Sequence, residues 1–253
     1  VRPLASTTEF WVFLPGTELP SQEQMMHRML AENPYKVKGS SPVGPKEGIL
    51  FSDIRTHIAL ALRSKNPNAF RPDIFTEDAP ATPEQVAALD ESQSFVKVRY
   101  LSEEPLPDKR HLTFVLHAVD AIAELGGAKI VYDVVADRLW DRAALAAAIR
   151  DFPPGTSADQ HVNAIWKPTA FGGYVQTKGL HKIGLSDLTT LEMQNDEQVL
   201  VLNVIGQAAR AMWDAGAVPN PFEVEAFSDR FNVVTQPAKD GRLPVRIMRV
   251  QAT

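Results

Sequence analysis

The sequence predicts an α+β fold: two ferredoxin-like-related halves, with mainly antiparallel sheets and helices packed on one face. Three observations carry this. Residues 95–135 read as strand, short polar turn, long helix, tight stop and second strand. An abbreviated copy of the first part stands near the N-terminus, where Leu14-Pro-Gly-Thr-Glu-Leu-Pro-Ser21 aligns without a gap on Leu101-Ser-Glu-Glu-Pro-Leu-Pro-Asp108. The chain then closes on two apolar, alternating runs, 222–235 and 243–250, joined across Lys239-Asp240-Gly241 as a hairpin. The repeated strand–turn–helix divides the chain into residues 1–101 and 102–253, packed as one compact unit, with an offset of about ninety residues. Leu-Pro followed by Ser or Asp is also simply a good way to start any helix.

Each element has its own local cause. Residues 9–14 are a short, strongly apolar strand. Ser21 caps a helix to Ala31 with Gln24 at the reciprocal capping position, and Met25, Met26, Met29 and Leu30 form its buried side. A strand over 35–38 and a loop over 40–48 lead to a long strand pattern at 49–63. In that pattern Asp53, Arg55 and His57 share one face, a row that fits either a solvated strand face or an anion-binding and proton-shuttling set. Residues 64–82 hold three prolines without a period, as a functional or flexible loop would. Thr82-Pro83 opens a helix to Glu91, proline being suited to the first helical position.

In the central stretch, 95–101 alternates apolar and basic residues, the mark of a strand with one buried face. Asp108 is expected to cap a helix over 109–125, whose Leu112, Val115, Leu116, Val119 and Ile122 fall on one face. Gly126-Gly127 stops it, and 128–135 is a buried, β-branched strand. A helix runs from Asp141 to about 151, and strands at 161–166 and 173–176 flank an irregular hairpin turn. Asn195 is expected to cap the longest helix, 196–215, whose broad apolar stripe implies cover on a second side.

Composition narrows the function by exclusion. The chain has 253 residues, 44% hydrophobic and 23% charged, with a net charge of −5 and no basic block. That argues against nucleic-acid binding, whose affinity comes from neutralising phosphates, and against a polybasic membrane contact. No apolar run approaches the ~20 residues that span a bilayer. There are no cysteines, hence no disulfide, thiolate metal site or cysteine nucleophile. The compartment stays open, with a cytoplasmic one favoured. His111 and His117 lie about 240° apart around their helix, and no familiar metal, phosphate-loop or nucleophile-elbow spacing occurs. No metal and no cofactor are expected.

The segment Thr177-Lys-Gly-Leu-His-Lys-Ile-Gly-Leu-Ser-Asp-Leu188, followed by Glu192, resembles the C-terminal signature of an uncharacterised bacterial domain family. That signature runs Thr-x-Gly-Leu-x-x-Phe-Gly-x-x-Asp/Glu-Leu, and Ile183 stands where the family has an aromatic residue. The family's function is not known, so the resemblance implies no active site.

The same segment is the densest polar group in an apolar neighbourhood. Thr177, Lys178 and Lys182, beside Gly179 and Gly184, could hold a carboxylate or phosphate on backbone N–H groups. The same glycines could equally form a plain turn with solvated lysines. His181 could serve as a general base oriented by Asp187 or Glu192. Trp166, Phe171 and Tyr174 on the hairpin are candidate anchors for a partner. Two readings follow: a non-catalytic binding or interaction module for a protein, a peptide or a small anionic ligand, or a small hydrolase or lyase using a His–carboxylate pair in 177–192. The first would use a groove between the halves or an open sheet face.

Overall fold

A computed structural model describes residues 6–32, 55–75, 80–104, 106, 108–151, 157–219, 222–239 and 241–250. The expected strand at 35–38 and loop at 40–48 lie outside the described residues, as does Asp53.

The α+β class and the mainly antiparallel sheets are as the sequence leads one to expect. The first sheet holds β1 (Ser6–Leu14), β2 (Thr56–Leu62), β3 (Ser94–Ser102), β4 (Ile130–Asp133) and β5 (Arg138–Asp141), in the order β2-β3-β1-β4-β5 with every neighbour antiparallel. β1 lies at its centre because both of its faces are apolar. Phe10, Val12 and Leu14 point one way, with Val96 and Val98, and are covered by α3 (Arg110–Leu125), α4 (Arg142–Asp151) and Met25 of α1 (Gln22–Glu32). Phe13, Phe95, Ile130 and Tyr132 point the other way, onto Phe70, Phe75 and Leu89 of α2 (Pro83–Glu91).

This corrects two expectations. Helices sit on both faces of the sheet, because β1 and β3 present apolar rings to both sides. The proline-rich stretch 64–82 is in part structural, since its 3-10 turns Pro67–Phe70 and Pro72–Ile74 deliver Phe70 and Phe75 into an aromatic layer. Phe13 meets Phe70 edge-on at 5.6 Å, and Trp11 stacks on Phe95 at 4.7 Å.

The two copies of the strand–turn–helix sit side by side in this one sheet. β1 pairs with β3 along its whole length, and Arg28 of α1 reaches Asp120 (3.0 Å) and Glu124 (2.8 Å) on α3. The first sheet therefore takes strands from both sides of residue 101, because β4 pairs with β1. Ser21 and Gln24 cap each other as expected. Asp108 lies one residue before the cap position, Lys109, and accepts from the Arg110 N–H at 3.0 Å. Met25 of the expected methionine side packs inward, while Met26 is 59% exposed, and α1 rests on α3 through charged contacts. Arg55 lies over the Tyr100 ring and bonds Ser102, and His57 is exposed; the third member of the expected row, Asp53, lies outside the described residues.

The second sheet has six strands: β6 (Asn163–Thr169), β7 (Gly172–Lys178), β8 (Asp187–Thr190), β9 (Phe222–Ala226), β10 (Asp229–Thr235) and β11 (Arg242–Arg249). Its order, β6-β7-β8-β11-β10-β9, includes one parallel pair, β8 with β11, and does not repeat the first sheet. The expected strand 222–235 is broken by Phe227 and Ser228, whose φ of 51° and 69° make a two-residue hairpin turn. The short α5 (Ala158–His161) and the long α6 (Gln198–Ala215) pack on this sheet. Asn195 is not the cap of α6, since Gln194 and Glu197 cap each other across a 3-10 turn that precedes it. Leu112 of α3 is buried in this second core, while Val115 and Leu116 serve the first, so one helix is shared by both cores.

Candidate functional site

The signature segment 177–188 forms the joint between the two sheets. β7 ends at Lys178, and Gly179 turns the chain with φ 120° hard against α5, where an added Cβ would lie 2.0 Å from the His161 carbonyl oxygen. Only glycine tolerates both conditions. A 3-10 turn, Leu180–Ile183, follows, and Gly184 leads into β8. Thr177 and Asp187 lace this turn. Asp187 Oδ1 accepts from the Leu180 N–H at 3.1 Å and from Thr177 Oγ1 at 3.2 Å, while Thr177 Oγ1 accepts from the Leu188 N–H at 2.7 Å. Burial pushes the Asp187 carboxyl up, and His181 with these donors pulls it back.

The turn splits the expected polar group in three directions. His181 stays at the surface, its Nε2 3.4 Å from Asp187 Oδ2. Lys178 reaches sideways to the Asp137 carboxylate, which also accepts from the Tyr132 hydroxyl at 2.6 Å. Lys182 points inward and is fully buried, its ammonium bonded to Asp133 at the end of β4. It lies 3.4 Å from His161 Nδ1 and 5.0 Å from the centre of the Phe10 ring. Its carbonyl accepts from Ser6 Oγ at 2.6 Å and His111 Nε2 at 3.1 Å. A loop of the second sheet is thereby bolted to β1, α3 and β4 of the first.

Burial lowers the pKa of Lys182, and Asp133 opposes that shift. His161 stacks flat on Trp213 at 5.1 Å, and burial followed by the Lys182 charge holds its pKa well below the usual histidine value. The imidazole is therefore neutral, accepting at Nδ1 and carrying its proton on Nε2. That N–H has no partner among the described residues, and neither have Trp213 Nε1 and Thr8 Oγ1. Each such orphan costs about 1–3 kcal/mol. Lys109 spans the other side of Trp213, its ammonium bonding the Trp213 carbonyl. This is a closed polar joint: Lys182, Asp133 and His161 are each 0% exposed.

Glu192 is not brought to His181; its carboxylate bonds Thr169 at the tip of the β6–β7 hairpin. Of the candidate aromatic anchors, Trp166 is half-buried with its ring lying over Gly173, where a Cβ would sit 2.4 Å away. Tyr174 is half-buried opposite Lys167, and Phe171 stands 82% exposed at the tip. Sequence reasoning missed Asp133, His161 and Trp213. One signal was there for Asp133, a carboxylate ending an otherwise apolar strand. His161 and Trp213 carry none, because their pairing crosses the chain.

Two hollows lie along the outer side of α6. One, of about 350 Å³, is lined by Val199, Leu202, Asn203, Gly206, Gln207 and Arg210. The other, of about 190 Å³, opens between α6, α5, β6 and Arg138, and shares Gly206 and Arg210 with the first. A Cβ on Gly206 would meet nothing within 4 Å. Gly206→Ala is therefore expected to stabilise the protein by about 0.5–1 kcal/mol, read as a raised urea midpoint at unchanged slope.

Among the described residues no three His, Asp or Glu side chains are placed to hold a metal, and no helix is long and apolar enough to cross a membrane. Comparisons with family models, with curated proteins and with solved structures found no match for this chain.

Proposed function

We propose that this chain is a non-catalytic binding module that docks a protein or peptide partner at the tip of the β6–β7 hairpin. The observation that carries this reading is the 82% exposure of Phe171 on a tip that is held in place. Thr169 bonds Glu192, and Gly173 and Met193 exchange backbone bonds at 3.0 and 2.7 Å, which straps the hairpin to residues 191–194. Leu191 and Val199, carried by that strap and by the first turn of α6, are 55% and 67% exposed. A solvent-facing aromatic on a strapped backbone has less conformational freedom to lose on binding than one on a mobile loop, which suits an anchor. The closed joint between the sheets leaves this outer edge, and not a cleft at Lys182, as the place for a partner. In fold terms, the order β2-β3-β1-β4 supports the ferredoxin-like plan for the first sheet. The resemblance of 177–188 to an uncharacterised bacterial domain family adds no catalytic group.

The test places a photo-crosslinking amino acid at position 171 and, as a control, at exposed Arg230. The expected result is one defined, saturable crosslink from 171 alone, competed by unlabelled protein but not by Phe171→Ser of unchanged urea midpoint. Equal labelling from both positions overturns the reading.

One observation favours a second reading, a hydrolase or lyase: His181 Nε2 lies 3.4 Å from Asp187 Oδ2. Against it, Asp187 Oδ1 is already committed to the Leu180 N–H and Thr177. Any turnover found for the chain and abolished by His181→Gln would support it.

A further inference from the structure

We infer that the hollow over Gly206 is a binding site for an aliphatic carboxylate, with Arg138 as its anion partner. The Arg138 guanidinium is held rigidly. Nη1 donates to the Asp159 carbonyl at 2.6 Å, Nη2 to the Val162 carbonyl at 2.8 Å and to Asn163 Oδ1 at 3.4 Å, and the group lies 5.0 Å from the centre of the Trp140 ring. Guanidinium has five N–H donors in a fixed fork, so part of the fork stays open. No carboxylate among the described residues pairs with it. The two whose charges act on it are bonded elsewhere, Asp133 to Lys182 and Asp159, which also lines the hollow, to Arg210 at 2.9 Å. A guanidinium lining a hollow, with no carboxylate within ion-pair distance among the described residues, is an arrangement that can take up a carboxylate.

The rest of the hollow suits a short aliphatic chain. Ala158, Val162, Ala164 and Ala209 give it an apolar floor, and Arg210, already neutralised by Asp159, adds no free charge. Its volume of about 190 Å³ holds about six water-sized groups, which matches a carboxylate with a chain of a few carbons. Gly206 is the second, independent sign. It lies inside α6 without a positive φ and without a neighbour its side chain would strike, so neither backbone nor packing demands glycine. Its effect is to keep the floor shared by both hollows open. The carboxylate can belong to a free short-chain acid or to the C-terminus of a peptide lying along the larger hollow. The inference stands apart from the hairpin-tip reading, since neither Phe171 nor its strap lines the smaller hollow.

The test is a ¹⁵N–¹H NMR titration of the full chain with sodium butanoate, at ionic strength matched by sodium chloride. Parallel titrations use butanamide, a tetrapeptide ending in a free leucine carboxylate, and the same peptide amidated. The expected result is saturable shifts centred on Ala164, Gly206 and Ala209 with at least one of the two acids, and none with either amide. Butanoate binding assigns the site to free acids, and binding by the peptide acid alone assigns it to chain termini. Arg138→Gln is expected to weaken binding by about 10- to 100-fold. Gly206→Leu, which leaves every charge in place and favours the helix, is expected to abolish it. Equal response to acid and amide, no saturable response to either acid, or wild-type affinity in both variants overturns the inference.

Discussion

Lys182→Met is expected to lower the stability of the protein by about 3–5 kcal/mol, the cost of leaving a buried carboxylate without its partner. Lys182 and Asp133 are both 0% exposed, and the substitution removes the ammonium while Asp133 stays fixed by the Ala136 N–H at 3.1 Å. Removing the pair together is a different matter. Lys182→Met with Asp133→Leu is expected to recover most of the loss, because the desolvation of both ions disappears with their attraction. The measurement is urea unfolding of the two single variants and the double variant, read as a double-mutant cycle. A near-neutral Lys182→Met would mean that water reaches the ion pair, and the closed joint would then be open.

Acid is expected to unfold the protein earlier than its carboxylates alone would. Burial lowers the His111 pKa to about 4, against an ordinary value of 6.5, and holds His161 well below 6.5 as well. Below pH 6.5 the unfolded chain takes up protons at both rings that the folded chain refuses. Stability therefore falls as pH falls from about 6.5, and the His111 share levels off near pH 4, where the folded ring protonates too. That share is about 3 kcal/mol. Glu124, held low by Arg28, adds a loss at more acid pH, as its carboxylate gives up a stabilising charge. Asp187 acts in the opposite sense, since its raised pKa lets the folded state bind a proton first. Urea midpoints between pH 4 and 8 measure the profile. His111→Gln, which keeps a donor toward the Lys182 carbonyl, is expected to reduce its slope between pH 6.5 and 4, leaving the His161 share. An unchanged slope in that variant would place the acid sensitivity elsewhere.

Much of the local architecture was legible before any coordinates. Ser21 and Gln24 close a capping pair, Thr82-Pro83 opens a helix, and α3 buries the stripe its spacing marks out. Each is a short-range effect, written in residues three or four apart. Misreadings arose where a local rule had two outcomes. The Leu-Pro repeat marked two helix starts correctly, but strand pairing decides whether such units share a sheet, and β1 with β3 shows that these do. The break at Phe227-Ser228 was hidden because neither residue is the glycine or asparagine that such a turn usually carries. The candidate site was legible only as a cluster of types. Thr177, Lys178, His181 and Lys182 were singled out together, yet they serve four separate bonds.

By itself, then, the sequence determined where several helices begin, which faces of the helices and strands are apolar, and that 177–188 would be a glycine-hinged polar turn. Only the tertiary structure decided that Lys182 turns inward to meet Asp133, 49 residues away, while Phe171 is left in solvent. The physical reason is one of range. Backbone propensity and amphipathic period act within a turn or two of chain, whereas a buried charge takes its partner from whatever the packing of two sheets brings within bonding distance.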